Sequence, residues 1–290
     1  MKDFLWNNDD NQENNITETL EMELLLEGLY RISGFDFRKY MRSSIHRRVH
    51  NRMQLEQIST ITGVLEKVLH EPAFMTTLLN DFSINVTEMF RNPEFFSAFR
   101  QKVIPELREL PEIRIWHAGC ATGEEVYSMA ILMEEEGLSH KTKFYATDMN
   151  EPVLNKARSG ILPLSKMRTY TKNYMAAGGT QAFSEYYTTD GHFAYLKPSL
   201  LKQISFLQHN LVTDHSFNEF HVILCRNVLI YFTAALQNQV HELFYDSLSP
   251  NGFLGLGDKE SIQFADCADK YTDFAEQVKI YQKNKSRKKG

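Results

Sequence analysis

From Ile113 onward the chain alternates short apolar runs with helical segments, and no other feature constrains the fold as tightly. The runs are "IRIWHAG", "KFYATD", "ISFLQHN", "HVILCRN", "GFLGLG" and "FAEQVKIYQK". Residues 124–136, 151–158 and 233–248 read as helices between them. Buried runs separated by helices predict a mostly parallel sheet covered by crossover helices. One segment interrupts the rhythm. "FSEYYTTDGHFAYLKPSLLKQISF" sets Thr189-Asp190-Gly191 between aromatic-rich runs, a hairpin signal. It predicts a small inserted antiparallel β subdomain over 183–207. "LSPNGFLGLG" predicts a Pro-Asn-Gly turn before a further strand, part of an edge hairpin.

Upstream the signal is helical. Residues 1–15 are rich in Asn and Asp and read as a disordered acidic tail. Residues 16–84 read as an all-α domain. Its first helix carries Leu20, Leu24, Leu25 and Ile32 at near-helical spacing and stops at Gly34. A second, starting near Phe37, carries Phe37, Met41, Ile45, Val49 and Met53 every four residues. "ITGVLEKVLH" and "EPAFMTTLLNDFSI" supply two more, the latter with Pro72 early in the helix. Residues 85–110 form a connector that becomes helical. On pattern alone, its "NVTEMFR" is a helix cap. Residues 111–282 are the α/β domain, and 283–290 a frayed basic tail.

Bulk charge narrows the function. A net charge of −5 and a pI near 6.1 argue against general nucleic-acid binding. The best apolar run, "FHVILCRNVLIYF", is broken by Arg226 and Asn227, so no membrane insertion is expected. The start has no apolar central segment and is no signal peptide. Cys120, Cys225 and Cys267 lie far apart without metal spacing, which fits a reduced, cytoplasmic protein. His46 and His50 are spaced like zinc ligands, but the sequence offers no third ligand nearby, so no metal is expected.

The turn after the first strand, "GCATGEE", decides the ligand class. A nucleotide-like ligand sits there in parallel sheets. A Walker loop needs Gly-Lys-Ser/Thr, and here Gly123 is followed by Glu124 and Glu125. A dinucleotide fingerprint needs a third glycine and closer spacing, which disfavours a dinucleotide-dependent oxidoreductase. Glutamates at a helix N-terminus gain from the dipole and repel a pyrophosphate. The ligand that fits is nucleoside-like, phosphate-free and cationic, as S-adenosylmethionine is. The alternative is a tight turn whose acids only cap a helix, and Glu124 stays open between cap and support. Asp148, at the tip of "KFYATD", suits ribose hydroxyls and equally caps the next helix. Arg226 and Asn227 stop a buried run at the rim where ligands bind.

"NVTEMFR", "GCATGEEVYSMA", "YATDMNEPVLNKARSGIL", "FLQHNL" and "CRNVLIYF", in that order, resemble the CheR-type chemotaxis methyltransferases. The resemblance runs from "FRKYMRSSIHRRVHNRM" to near residue 282. It implies a Rossmann-like class I methyltransferase domain with an inserted β subdomain, preceded by an all-α domain. It also implies transfer of a methyl from S-adenosylmethionine to glutamate side chains of chemoreceptor cytoplasmic helices, leaving S-adenosylhomocysteine. The cofactor residues carried over are Asn85, Thr87, Arg91, Glu125, Asp148, Asn210, Leu211, Asn227 and Val228. Arg91 and Tyr231 are implied beside the transferred methyl. The basic residues Lys39, Arg42, His46 and Arg47 lie away from the apolar stripe of their helix and suit docking to acidic receptor helices. Arg48 and Arg52 fall nearer that stripe, toward the cofactor domain. The short loop in "YYTTDGHF" implies docking without a C-terminal pentapeptide tether, by a monomer. His221, Met89 and "GDKES" (Gly257 to Ser261) depart from the family pattern and leave substrate choice more open than cofactor binding. The rival readings are a silent module that binds the cofactor or its product and a methyltransferase of a non-chemotaxis sensory pathway.

Overall fold

The computed structural model describes residues 6–83 and 86–285, with only the helical backbone for residues 6–15. The chain divides into two compact units. One comprises Met1–Ile84 with Tyr231–Leu236, the other Asn85–Ile230 with Gln237–Gly290.

The first unit is built from α1 (Trp6–Ser33), α2 (Arg42–Glu56), α3 (Ile61–His70) and α4 (Pro72–Phe82). Helix α1 starts within the segment read as a disordered tail, so residues 6–15 correct that reading. Once residues 16–33 are packed, each further residue adds a backbone hydrogen bond at little cost, and polar residues extend the helix. The buried face of α1 is Met22, Leu25, Leu26 and Leu29; Leu20, Leu24 and Ile32 are exposed. Of the stripe read from the sequence only Leu25 is buried, and the packed face is the i, i+3, i+4, i+7 set Met22, Leu25, Leu26 and Leu29. Helix α2 begins at Arg42 rather than near Phe37. Ile45 and Val49 are its buried positions, and Phe37 is buried from the preceding loop, edge-on to Phe82. Arg52 makes a two-pronged contact with Asp81, at 2.7 and 3.0 Å, and Arg48 donates to the Asp81 carbonyl at 2.5 Å. These two arginines therefore tie α2 to α4, which corrects their reading as groups aimed at the cofactor domain. Thr60 caps α3 by accepting from the Gly63 amide at 3.0 Å. Tyr40 bridges to Phe232 within this unit.

The second unit opens with a continuous helical stretch. Helix α5 (Pro93–Ala98) passes through a π-helical turn (Phe99–Val103) into α6 (Ile104–Arg108). The π turn comes just before Pro105, which has no N–H to donate to a regular α-helical ladder. Phe95, Phe96, Phe99, Val103 and Leu107 are buried in the unit's core, so most of the expected connector is core structure.

Then come β1 (Ile113–Ala118), α7 (Glu124–Glu135), β2 (Thr142–Asp148), α8 (Glu151–Ser159), β3 (Ile161–Pro163), α9 (Met167–Ala176), β4 (Tyr187–Thr189), β5 (Phe193–Leu196), α10 (Pro198–Leu201), β6 (Ile204–Gln208), β7 (Phe220–Cys225), α11 (Ala234–Ser247), β8 (Leu248–Leu256), β9 (Tyr271–Ala275) and β10 (Ile280–Lys283). The main sheet runs β6-β2-β1-β7-β8-β10-β9. Its first five strands are parallel, and β10 is antiparallel to both β8 and β9. The fold is the expected Rossmann-like one. Among the described residues no helix is long and apolar enough to cross a membrane.

Two boundaries differ from the sequence reading. The small sheet is β3-β5-β4, so the insertion draws in β3 upstream, while β6 pairs with β2 in the main sheet. The subdomain is fastened to α7 through Glu135, which accepts from Tyr174, Tyr186 and the Thr180 amide and pairs with Arg100 at 2.6 Å. Pro250-Asn251-Gly252 is not a turn before a strand. It lies inside β8, where Asn251 takes φ 62° and the register against β7 jumps between Phe220 and Val222. That is a bulge, which one left-handed Asn accommodates.

Candidate active site

The parallel strands β6, β2, β1 and β7 end at one sheet edge, and the order reverses beside β1. That edge, at such a reversal, is where open α/β sheets bind ligands. The sequence motifs converge on it. Gly119-Cys120-Ala121-Thr122-Gly123 leaves β1, Asp148 ends β2, His209-Asn210-Leu211 follows β6, and Arg226-Asn227-Val228 follows β7.

The turn after β1 winds through three left-handed residues, Gly119 at φ 75°, Ala121 at 49° and Gly123 at 92°. A Cβ on Gly119 would lie 2.6 Å from Val228 Cγ2, so glycine is what lets the β1 and β7 loops approach. The amides of Gly119 and Cys120 both donate to the Thr147 carbonyl at 2.8 Å. Asp148 holds the same turn: Oδ2 accepts from the Ala121 amide and Oδ1 from the Asn150 amide, each at 3.0 Å. Burial pushes the Asp148 pKa up, against the pull of these amides. Each of its oxygens keeps a second lone pair for a ligand hydroxyl. Both sequence readings of Asp148, helix cap and ligand acceptor, are compatible with this geometry.

The two glutamates divide their work. Glu124 is buried; Oε2 accepts from Thr122 at 2.5 Å and Oε1 from Tyr170 at 3.3 Å. It links the turn to α9, and burial raises its pKa. Glu125 sits between His117 and Arg226. Its Oε1 lies 3.0 Å from His117 Nδ1, and its Oε2 accepts from Arg226 Nη1 at 3.0 Å. Burial alone would raise its pKa; the His117 hydrogen bond and the Arg226 charge outweigh that and lower it.

Arg226 is the residue sequence reasoning undervalued. Its side chain is 2% exposed. Besides Glu125, it donates from Nη2 to the Arg91 carbonyl at 3.0 Å and to Asn92 Oδ1 at 3.1 Å, and it stacks 4.1 Å over the Phe95 ring. It therefore fixes the Met89–Asn92 turn, where Phe90 and Asn92 adopt positive φ of 50° and 54°. Ser128 on α7 accepts from the Phe90 amide at 2.8 Å, and Asn173 donates to the Met89 carbonyl at 3.1 Å. A lone arginine breaking a buried run was the available signal. His117, next to last in β1, gave none beyond its polarity.

The loop after β7 is held by Glu260. Its carboxylate accepts from the amides of Asn227 at 2.9 Å, Val228 and Leu229 at 2.8 Å, and Gly257 at 2.7 Å. Burial raises its pKa while these amides pull the other way. Within "GDKES" the acid is thus the structural member, and Lys259 is exposed. Asn227 takes φ 63° with its side chain 3.4 Å from Asp258. Asn210 and Leu211 are buried, and Asn210 Oδ1 accepts from the Val212 amide at 3.0 Å. His221 accepts from the Arg114 amide at 3.0 Å, at the start of β7 away from the rim.

The remaining expected residues are distributed unevenly. Arg91 keeps one long contact, 3.5 Å to the Val86 carbonyl. Thr87 is partly exposed on the same segment, and Asn85 lies outside the described residues. Tyr231 belongs to the segment Tyr231–Leu236 of the helical unit, where its carbonyl accepts from the Met41 amide at 2.8 Å. Of the four docking residues, Arg42 pairs with Glu23 at 2.6 Å and His46 with Glu18 at 3.4 Å. Lys39 and Arg47 are exposed. The basic face is thus partly neutralised by α1, whose approach the helix pattern of α2 could not reveal.

The donor set fits S-adenosylmethionine. Carboxylates crowd the turn, the one buried arginine beside it is neutralised by Glu125, and the bare Gly119 backbone leaves no side chain in the way. Comparisons with known proteins agree. Residues 85–278 match the family described as CheR methyltransferase, SAM binding domain, and residues 20–83 match CheR methyltransferase, all-alpha domain. The Pseudomonas putida protein named as methyltransferase Cher3 is 43% identical over 265 residues, covering 91% of this chain and 97% of that one. Proteins named chemotaxis protein methyltransferase from Listeria innocua and Borreliella burgdorferi are each 30% identical, covering 79% and 86% of this chain and 85% and 90% of theirs. With both halves of the chain matched in this way, the chain belongs to the CheR methyltransferase family and is an S-adenosylmethionine-dependent methyltransferase.

Proposed function

We propose that the protein methylates glutamate side chains on the cytoplasmic helices of chemoreceptors, giving methyl esters for sensory adaptation. The observation that carries this is the contrast between its two rim arginines. Both terminal nitrogens of Arg226 are committed, to Glu125, Asn92 and the Arg91 carbonyl, whereas Arg91 holds only a 3.5 Å contact and is available to an incoming carboxylate.

The chemistry needs little from the protein beyond placement. S-adenosylmethionine supplies a methyl group on a sulfonium. A glutamate carboxylate, with a pKa of about 4.3, is already ionised in a cytoplasmic setting, so no general base is required. One carboxylate oxygen gains the methyl, no proton moves, and opposite charges neutralise. Arg91 orients the attacking carboxylate or the donor's own, Tyr231 helps seat the donor, and Asp148 receives the ribose hydroxyls. Asn85, Thr87, Glu125, Asn210, Leu211, Asn227 and Val228 complete the cofactor set. Holding the reactants in line is the main source of rate.

Docking uses Lys39, Arg42, His46 and Arg47, with Arg42 and His46 exchanging their α1 glutamates for receptor acids. The β4–β5 loop takes no part in tethering. Asp190 already occupies the His192 and Phe193 amides at 2.8 Å and accepts from Tyr195 at 2.7 Å. Those bonds, Tyr195 first, hold its carboxyl near a pKa of about 2. The protein acts as a cytoplasmic monomer. The test is transfer of radiolabelled methyl to receptor membranes, with base-labile label mapped to glutamates by mass spectrometry. Arg91→Ala should lower turnover by about 100-fold or more, as loss of a transition-state donor does. Wild-type turnover with unchanged cofactor affinity would sink the role of Arg91. Tight binding of a receptor C-terminal pentapeptide would refute tether-free docking.

A further inference from the structure

His46 and His50 stand one turn apart on α2, and α1 brings Glu18 between them. Glu18 Oε1 lies 2.9 Å from His50 Nε2 and 3.4 Å from His46 Nδ1. The three ligand atoms all fall within 4.8 Å of one another. The two rings are 6.0 Å apart, centroid to centroid. We propose that Glu18, His46 and His50 form a binding site for a zinc-class divalent cation.

The donor chemistry suits such an ion. Two imidazole nitrogens and one carboxylate oxygen are a common set for zinc, which bonds nitrogen and oxygen at about 2.0–2.2 Å. In a tetrahedral site that puts neighbouring ligand atoms about 3.3 Å apart. The two observed distances to Glu18 bracket that value, and the two histidine nitrogens lie within 4.8 Å of each other. Two neutral imidazoles and one carboxylate carry a net negative charge, which favours a divalent cation. All three side chains are partly exposed, so an ion can enter and keep water in its open position. Hard cations such as magnesium prefer all-oxygen sets and are disfavoured.

The placement has a consequence for α1. Beyond its packed face, this part of α1 is held to α2 by the Glu23–Arg42 ion pair and by the approach of Glu18 to His46 and His50. A bound ion would replace those Glu18 contacts with metal-mediated links. It would also withdraw His46 from the docking face, leaving Lys39, Arg42 and Arg47 there.

The test uses the tag-free full chain, stripped with a chelator. Zinc is titrated calorimetrically, and cobalt is added to read the visible absorption of a tetrahedral site. Wild type should take up a single equivalent. Glu18→Gln, His46→Gln and His50→Gln should each weaken binding by more than the roughly 10–100-fold that loss of an outer partner costs. His70→Gln, an exposed histidine on α3, should bind as wild type. Helix content by circular dichroism checks that each variant is folded. No saturable binding, or binding that all three variants retain, overturns the site. A loss confined to the histidine variants, with Glu18→Gln unaffected, overturns the three-ligand arrangement as well.

Discussion

The two units use charge in opposite ways. In the methyltransferase unit, Glu125, Arg226, Glu124 and Glu260 are largely withdrawn from water and each makes several hydrogen bonds. In the helical unit, Arg42, Glu23, Arg31 and Glu27 form ion pairs on the surface. Burying a charge is costly unless every lone pair and proton finds a partner, and removing one partner exposes that cost. A surface pair competes with water and is worth about 0–1 kcal/mol. The buried groups therefore fix geometry, while the surface groups can change partners.

The strongest way to break this comparison is at Arg226. Arg226→Ala leaves Glu125 buried with one partner fewer and frees the Met89–Asn92 turn. We expect a loss of about 3–5 kcal/mol in denaturant unfolding. Glu125→Ala should cost a similar amount, and the double variant less than the sum, because the two act as a pair. A loss no larger than that of a surface arginine would end the distinction.

Acid should act next. His241 is buried in α11 with neither ring nitrogen hydrogen-bonded among the described residues. Burial lowers its pKa from 6.5 to about 4. The folded protein thus keeps it neutral while the unfolded chain protonates it. Its contribution is fully present above about 6.5 and is lost as pH falls toward 4. The full swing is roughly 3 kcal/mol at 1.36 kcal/mol per unit. A His241→Leu variant should show a flatter stability profile over that window, and parallel profiles would contradict the assignment.

Glu260→Gln comes third. An amide keeps the shape but turns one acceptor into a donor facing backbone N–H groups. A cost of about 1–3 kcal/mol is expected, with weaker S-adenosylmethionine binding as the Asn227–Val228 loop loosens. Calorimetric titration reads both.

The smallest stability effect should be at Arg42. Arg42→Ala should change stability by less than about 1 kcal/mol. It should nevertheless slow receptor methylation at low salt and flatten its salt dependence. Equal rates for both proteins across ionic strength would remove Arg42 from docking.

The sequence was most readable where one period ran uninterrupted. Residues 124–136, read as a helix, differ from α7 by one residue, and the parallel strands fell where apolar runs marked them. The switch-point edge followed from the glycine turn, Asp148 and "CRNV". What stayed hidden depends on pairing between distant residues. Nothing local says that Arg226 reaches back to Asn92 or that Glu18 comes to His46. The stripe read on α1, Leu20, Leu24, Leu25 and Ile32, is for the most part exposed, because α3 packs on the face of Met22, Leu25, Leu26 and Leu29. In β8, Pro-Asn-Gly has the chemistry of a turn, and only the register with β7 makes it a bulge.

The sheet order also sets a timetable. As the chain emerges, β1 can pair with β2 early, but Ile115 meets its other neighbour, Val222, only after roughly a hundred further residues. The small sheet and α9 lie wholly inside that interval, so all their strands are made before β7 is. Gly119 and Val228, which approach across the cofactor edge, cannot come together until that later stretch has been made. A chain interrupted before β7 would hold a finished insertion and half a binding site.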